Sequence, residues 1–305
     1  MTMNAAALLL EAGQPERVAL ACGAERVTYG EVRDAVARAG TAWSERGVRH
    51  GDRVAIKLAD SSAGIGAYLG AMWSGAVAVA VNPRIPADDW RYIAGEGGFR
   101  FVLTDSGDDT PRDAGHRVVA LDEWLAASHA ARPMPPEPMH EEAPAFWTHS
   151  SGTSGKPKAV VHAHRFALHV ERVGAELFGL TRDDRLFASS KFFFAYPLGN
   201  SLFTGLKLGA TVIVDPQWPS AASVAATMAE QRPTVLFSVP SLYRNLLKEG
   251  FATKLARQGL RRCVSAGEAL PASLRDAWRR ETGITIVDGY GASETLSLAL
   301  VDMGS

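Results

Sequence analysis

Residues 150–158, with the sequence SSGTSGKPK, combine residue types that bind phosphate. Glycines let the backbone bend so that successive N–H groups converge on an anion. The hydroxyl groups can donate to phosphate oxygens, and Lys156 and Lys158 add positive charge. The spacing is not that of a Walker A loop, because Pro157 follows Lys156 and position 150 is serine. A solvated linker would seldom follow an apolar strand directly, so the pattern predicts a phosphate-binding loop.

Residues 288–295, DGYGASET, form a second segment that could do chemistry. Tyr290 is a flat aromatic residue between glycines and could stack on a base, and Glu294 offers the oxygen ligands that Mg²⁺ prefers. The segment follows a predicted strand at 284–287, and ligands of doubly wound sheets bind where strands end at their carboxyl edge. An ordinary turn with a glutamate that starts a helix is the alternative, and the residues alone leave both readings open.

The elements that would position these segments alternate between strand and helix. The spacing predicts a helix over 29–46, strands at 54–56 and 99–104, and, after a proline-rich segment at 132–144, a strand at 146–149. Further along the chain, the spacing predicts helices at 164–180, 220–231, 241–249 and 275–282, and strands at 210–214, 234–239, 262–265 and 284–288. Such alternation predicts an α/β fold with mostly parallel sheets flanked by helices. The proline-rich segment predicts a boundary between a first α/β part, 1–144, and a second, 145–305.

Composition excludes several classes of protein. Among 305 residues, Lys and Arg total 32 against 33 Asp and Glu, a net charge of −1 that argues against a polyanion binder. Two cysteines form no disulfide framework and suit a reducing compartment.

Residues 61–83 carry no charge and are long enough to cross a bilayer. Because glycines interrupt this stretch, a buried helix, a turn at Gly75 and a buried strand explain it better. We therefore expect a cytoplasmic protein with no leader peptide and no nucleic-acid or membrane partner.

The motifs together resemble the adenylate-forming superfamily: acyl- and aryl-CoA ligases, luciferases and peptide-synthetase adenylation domains. SSGTSGKPK is similar to that family's phosphate loop, and DGYGASE to its Tyr-Gly-x-Thr-Glu motif. Residues 265–270, SAGEAL, resemble the segment that borders the adenine. Further matches at 28–31, 51–56 and 75–84 follow in the family's order, so the resemblance covers nearly the whole chain.

The sequence departs from the family's pattern at a few positions. Ala159 stands where glycine is usual, and Ser154 and Ser293 stand where threonine is common, although serine keeps the hydroxyl. No segment resembles the family's ribose-binding aspartate, its hinge, or its mobile C-terminal domain with the catalytic lysine. We therefore expect an N-terminal portion of such an enzyme, without the C-terminal domain and with weak or no activity of its own.

The resemblance implies a two-step reaction that uses ATP, Mg²⁺ and coenzyme A. A carboxylate attacks the α-phosphorus of ATP, and the CoA thiol then displaces AMP from the acyl-adenylate. Thr153, Lys158 and Glu294 would be the catalytic residues, with Glu294 and Ser293 at the metal. The implied nucleotide-binding residues are Ser151, Gly152, Thr153, Ser154, Gly155, Lys156, Lys158, Gly267, Glu268, Ala269, Asp288, Gly289, Tyr290, Gly291 and Ser293.

The acid substrate depends on residues 191–200, KFFFAYPLGN, which in this family line the acyl pocket. The run resembles benzoate-CoA ligases most, and it lacks the aspartate that amino-acid-activating relatives place here. The implied substrate-binding residues are Phe194, Ala195, Tyr196, Gly199, Ala266 and Gly291. Phe192 and Phe193 are expected in the core. Leu296, Ser297 and Leu298 could also border the pocket.

Two alternatives to a benzoate-like substrate stay open. The first is a ligase for medium-chain or other acyl acids. The second is a short protein that binds nucleotide or acyl ligand without turnover. The sequence does not determine the oligomeric state, and a homodimer stays open.

Overall fold

The computed structural model describes residues 1–107, 110, 115–150 and 156–303. The strands follow in chain order: β1 (Thr2–Met3), β2 (Val18–Cys22), β3 (Glu25–Thr28), β4 (Arg53–Lys57), β5 (Val77–Ala80), β6 (Phe101–Thr104), β7 (Arg117–Ala120), β8 (Met139–His140), β9 (Pro144–Ser150), β10 (Lys158–Ala163), β11 (Arg185–Ala188), β12 (Thr211–Val214), β13 (Val235–Ser238), β14 (Arg262–Ser265), β15 (Ile286–Gly291) and β16 (Leu298–Asp302). The α-helices are α1 (Ala5–Leu10), α2 (Tyr29–Glu45), α3 (Ser62–Trp73), α4 (Ala87–Gly97), α5 (Leu121–Ala130), α6 (Ala195–Pro197), α7 (Thr204–Leu208), α8 (Ala221–Gln231), α9 (Pro240–Lys248), α10 (Ala252–Ala256) and α11 (Ala272–Thr282).

The chain divides into two units. The first contains Met1–Glu11 and Gly30–His169, and the second contains Ala12–Tyr29 and Val170–Ser305. The proline-rich segment lies inside the first unit, because β9, which follows it, pairs with β5 through Ala78 and Phe146. The division after the first unit therefore falls at 169/170, beyond the predicted 144/145.

The first unit contains a six-stranded sheet in the order β10-β9-β5-β4-β6-β7. All neighbours are parallel except β10, which runs antiparallel to β9. Helix α4 packs Trp90 on one face of the sheet, beside Val79 and Val102. The rings of Trp43 in α2 and Trp124 in α5 lie 5.6 Å apart, and Trp43 also contacts Phe101 of β6. Burial on both faces explains why these parallel strands read as continuous apolar runs.

The uncharged stretch 61–83 forms helix α3, a turn and strand β5, as its glycine spacing predicts. Ser61 caps α3, since its hydroxyl accepts the backbone N–H of Gly64. Ten residues of α3 are buried, so its apolar character serves the interior of the first unit. Among the described residues, no helix has both the length and the hydropathy needed to cross a membrane.

The second unit contains an eight-stranded sheet in the order β16-β15-β14-β13-β11-β12-β2-β3. The six strands from β15 to β2 are parallel, and an antiparallel strand closes each edge. Helices α8, α9 and α11 cover one face through Met228, Leu246 and Trp278. The other face packs against Phe178 and Leu180. The sheet therefore has a separate apolar layer on each side.

The predicted helix over 164–180 is wrong. The chain forms a short 3₁₀ turn at His164–Leu168 and a π-helical turn at Val173–Leu177. The His164 ring is fully buried, and its Nδ1 accepts the backbone N–H of Ala5 at 3.0 Å. Gly179 has φ +61°, a left-handed conformation that an α-helix does not contain. Tertiary contacts thus override the helical spacing of these residues.

Candidate nucleotide and acyl site

The segment predicted to border the adenine lies at the carboxyl edge of the second unit's sheet. Strand β14 ends at Ser265, which pairs with Asp288 of the parallel strand β15. The Asp288 carboxylate accepts the backbone N–H of Leu270 at 3.3 Å, which ties the turn after β14 to β15. The structure therefore brings the predicted segments 265–270 and 288–291 side by side.

Glu268 has a structural partner of its own. Its carboxylate accepts the backbone N–H of Ser241 at 3.1 Å, in the first turn of α9. A helix N-terminus has unpaired N–H groups and a partial positive charge, so a carboxylate is favourable there. Gly267 and Ala269, on either side, are exposed. The turn is thus held by Glu268 while its neighbours remain accessible to a ligand.

Tyr290 is exposed over 67% of its surface at the end of β15. The glycines beside it allow the hairpin strand β16 to approach, because a Cβ at Gly289 would lie 2.4 Å from a methyl carbon of Leu298. No hydrogen bond within the described part of the chain occupies the Tyr290 hydroxyl. The ring therefore has an accessible face and the geometry that stacking on a base requires.

The turn after Tyr290 has a defined hydrogen-bonded structure. The Thr295 hydroxyl accepts the N–H of Ala292 at 3.1 Å and donates to the carbonyl of Ser297 at 2.8 Å. Glu294 is exposed, and it has no hydrogen bond or ion pair to any other described residue. The segment is therefore a turn that leads into β16, without the helix that the plainer reading expected to begin at the glutamate, and it presents an exposed carboxylate.

The candidate metal ligands in this turn suit Mg²⁺ better than a metal ion that is coordinated only by protein side chains. Magnesium is usually held by one or two carboxylates together with water and substrate phosphates. Glu294 could supply one such carboxylate, and Ser293 beside it could supply a hydroxyl. Within the described ranges, no group of three His, Cys, Asp or Glu residues is arranged to hold a metal ion.

The predicted acyl segment begins with a buried lysine. The Lys191 ammonium donates to the backbone carbonyl of Asp215 at 2.5 Å and so joins the carboxyl ends of β11 and β12. Phe192 is buried, as expected of a core residue, and Phe193 is partly buried. Phe194 is exposed over 51% of its surface. The run of three phenylalanines therefore passes from the core to the surface.

Trp218, which sequence reasoning missed, extends this aromatic surface. Its ring stacks on Phe193 with centroids 6.3 Å apart and planes at 25°, and Phe193 in turn contacts Phe194 at 4.4 Å. Trp218 lies on the loop after β12, between prolines, where no motif or spacing marks it. The hydrogen bond from Lys191 to Asp215 also joins these two loops.

Tyr196 is directed into the sheet. Its ring packs in an apolar cluster with Ala266 and Leu298, and its hydroxyl donates to the carbonyl of Val264 at 3.1 Å. Burial raises the pKa of Tyr196 well above its usual value. The structure thus places Tyr196 beside Ala266, as an acyl pocket would require, but the Tyr196 hydroxyl is already engaged.

Gly199 contacts the turn that follows Glu294. A Cβ at Gly199 would lie 2.3 Å from the carbonyl oxygen of Leu296, so no side chain fits there. Leu296 has φ +60°, which is uncommon for a residue with a branched side chain. The acyl segment and the predicted metal-binding turn are therefore in direct backbone contact.

The phosphate loop belongs to the first unit, and only its flanks can be described. Ser151, Gly152, Thr153, Ser154 and Gly155 lie outside the described residues. Ser150 and Lys158, which lie on either side of these residues, are paired across the antiparallel strands β9 and β10. Lys158 is exposed, whereas the Lys156 ammonium lies 4.8 Å from the centre of the Tyr92 ring.

The chain belongs to the AMP-binding enzyme family, whose model matches residues 10–304. The 3-hydroxybenzoate–CoA ligase of Aromatoleum sp. (strain CIB) is 41% identical over 313 residues, which cover 96% of this chain and 59% of that protein. The 3-hydroxybenzoate–CoA/4-hydroxybenzoate–CoA ligase of Thauera aromatica is 40% identical, covering 95% of this chain and 59% of its own length. This chain therefore spans about three fifths of the length of these relatives.

Solved structures agree with this assignment. A benzoate CoA ligase from Burkholderia xenovorans LB400 superposes with a TM-score of 0.91 at 29% identity, over 98% of this chain and 63% of that one. The resemblance to adenylate-forming enzymes is confirmed, and so is the α/β core of mostly parallel sheets flanked by helices.

Proposed function

We propose that this chain forms the nucleotide- and acid-binding part of an aryl-CoA ligase that activates a benzoate-like acid. The observation that carries the proposal is its 41% identity, over 96% of its length, to a 3-hydroxybenzoate–CoA ligase. The exposed aromatic surface at Phe194 supports an aromatic substrate, because planar rings stack favourably on one another.

In the proposed first step, the acid's carboxylate attacks the α-phosphorus of ATP, and the products are an aryl-adenylate and pyrophosphate. Phosphoryl chemistry of this kind depends mainly on positioning and charge neutralisation. We assign Thr153, Ser154 and Lys158 to the β- and γ-phosphates. The exposed ammonium of Lys158, at the end of a hairpin, supports its role.

Mg²⁺, when bound, would neutralise phosphate charge, and we assign Glu294 and Ser293 to hold it. The free carboxylate of Glu294 supports this role. Tyr290 would stack on the adenine, with Gly267 and Ala269 beside it. Hydrogen bonds from backbone N–H groups to Glu268 and Asp288 would keep this surface in place before the nucleotide arrives.

In the proposed second step, the thiol of coenzyme A attacks the carbonyl carbon of the aryl-adenylate, and AMP leaves. The thiol proton goes to solvent, and the product is an aryl-CoA thioester. We further propose a cytoplasmic enzyme, since Cys22 and Cys263 form no disulfide, as is usual in a reducing compartment.

The test is calorimetric binding of two non-hydrolysable adenylate mimics, one carrying 3-hydroxybenzoyl and one carrying octanoyl. We expect the aryl mimic to bind at least about tenfold more tightly. Tyr290→Ala should weaken the binding of both mimics about tenfold or more, because stacking on a base contributes about 1–3 kcal/mol to the binding free energy. Leu177→Ala is the control, since Leu177 is also exposed in the second unit but lies outside the predicted nucleotide and acyl segments.

Tighter binding of the octanoyl mimic would contradict the aromatic substrate but retain a nucleotide-binding acyl site. Equal binding by the Tyr290→Ala variant would contradict the adenine assignment. Release of pyrophosphate from MgATP and 3-hydroxybenzoate measures turnover separately. Pyrophosphate release would contradict the non-catalytic alternative, whereas no release would fit both that alternative and a ligase portion of weak or no activity.

A further inference from the structure

A cavity of about 560 Å³ lies among helices α9, α10 and α11 of the second unit. Its volume falls within the range of about 300–1,000 Å³ that is usual for small-molecule sites. We call it the α9–α11 cavity and define it by Arg244, Leu247, Lys248, Leu274, Ala277 and Glu281. None of these residues belongs to the predicted nucleotide or acyl segments.

The lining of the cavity combines buried or partly buried apolar side chains with two exposed cationic side chains. Leu274 is buried, and Leu247 and Ala277 are partly buried. Arg244 and Lys248, one turn apart on α9, are exposed and form no hydrogen bond or ion pair with any residue in the described part of the chain. Two unpaired cations beside apolar side chains can recognise an anion attached to an apolar body.

One carboxylate also lines the cavity. Glu281 accepts a hydrogen bond from the Thr253 hydroxyl at 3.3 Å, and it does not pair with either cation. The described side chains around the cavity therefore carry a net charge of +1. The N-terminus of α11 adds a partial positive charge, because its backbone N–H groups have no capping side chain and its first turn has no acidic residue.

We propose that the α9–α11 cavity binds an amphipathic anion, with its carboxylate between Arg244 and Lys248 and its apolar body against Leu247, Leu274 and Ala277. This site is separate from the proposed ligase site and does not depend on it. The guanidinium supplies a bidentate fork for a carboxylate, and the ammonium supplies a second charge. Contact with the apolar floor removes the ligand's hydrocarbon from water.

The probe is 8-anilinonaphthalene-1-sulfonate, whose fluorescence rises in apolar surroundings, with octanoate as the competing carboxylate. We expect saturable binding that octanoate displaces. The double variant Arg244→Gln with Lys248→Gln should weaken octanoate binding about tenfold or more. The matched control is Lys254→Gln with Arg257→Gln, which removes the same charge from exposed positions that do not line the cavity.

A third variant, Ala277→Phe, places a ring among the apolar lining residues without changing charge and should weaken displacement by octanoate. Circular dichroism and thermal unfolding establish that each variant is folded. Equal loss in the control pair would overturn the proposal, because it would mean attraction by overall charge. Unchanged octanoate binding by Ala277→Phe would also overturn it, since the ligand would then bind elsewhere.

Discussion

Replacement of Gly199 by alanine tests whether the acyl segment and the turn after Glu294 depend on their backbone contact. The added Cβ would lie 2.3 Å from the carbonyl oxygen of Leu296, 2.8 Å from its Cγ and 3.0 Å from its carbonyl carbon. Favourable separations between non-bonded carbon atoms are about 3.5–4.0 Å, so the two segments must separate by roughly 1 Å. Overpacking costs about 1–3 kcal/mol, and an obstacle made of backbone places this substitution at the upper end.

We therefore expect Gly199→Ala to lower the free energy of unfolding by about 3 kcal/mol, measured by urea denaturation. It should also weaken binding of the aryl-adenylate mimic about tenfold or more, because the acyl segment moves away from the turn. Gly95→Ala is the matched control. Gly95 is an exposed residue of α4 with no atom within 4 Å of an added Cβ, and alanine there should stabilise by about 0.5–1 kcal/mol.

A Gly199→Ala protein within about 0.5 kcal/mol of the parent, with unchanged affinity for the mimic, would refute this reasoning. It would mean that the turn at Leu296 relaxes freely. Loss of stability without loss of affinity would show that the contact supports the fold but does not shape the site.

Three further predictions concern single residues. Burial lowers the pKa of His164 to about 4, so the unfolded chain binds more protons than the folded chain between about pH 6.5 and 4. The free energy of unfolding should therefore fall by up to about 3 kcal/mol as the pH is lowered through that range. His164→Asn, which keeps an acceptor for the Ala5 N–H, should reduce this pH dependence in urea titrations. Tyr196→Phe should lower the free energy of unfolding by about 1 kcal/mol, because the Tyr196 hydroxyl is hydrogen-bonded to the sheet. Affinity for the aryl mimic should stay within about twofold of the parent, and a tenfold loss would show that the hydroxyl contacts the ligand. Arg261→Gln should lower the free energy of unfolding by about 1.5–3 kcal/mol, because the buried Asp184 carboxylate loses its cation but keeps its hydrogen bonds from Thr181 and Thr234. A loss below about 1 kcal/mol would contradict this.

The sequence predicted the parts of this fold that local patterns determine. Strands such as β6 and β12 are short, mostly apolar runs next to turn residues, and their existence follows from the local sequence pattern. The interrupted, uncharged stretch at 61–83 was interpreted correctly because glycine spacing distinguishes a buried helix and strand from a membrane span.

Features set by distant contacts could not be predicted. The helical spacing over 164–180 gave no sign that His164 would bond to Ala5, far earlier in the chain. Trp218 lies beside Phe193 through contacts between two loops that are far apart in the sequence, including the hydrogen bond from Lys191 to Asp215. The motifs indicated which segments form the candidate site, but hydrogen bonds between segments decide which groups remain available to a ligand.

The hairpin of β2 and β3 has a consequence for synthesis on the ribosome. Its neighbour in the sheet is β12, and the Thr211 hydroxyl bonds to the carbonyl of Val18 across 193 positions of sequence. At a translation rate of about 5–20 residues per second, the hairpin emerges roughly 10 to 40 s before its partner. During that interval β2 exposes an unpaired edge, the kind of surface that chaperones cover and that aggregation exploits. The second unit can therefore complete its sheet only late in translation, although one edge of that sheet is among the first parts of the chain to be made.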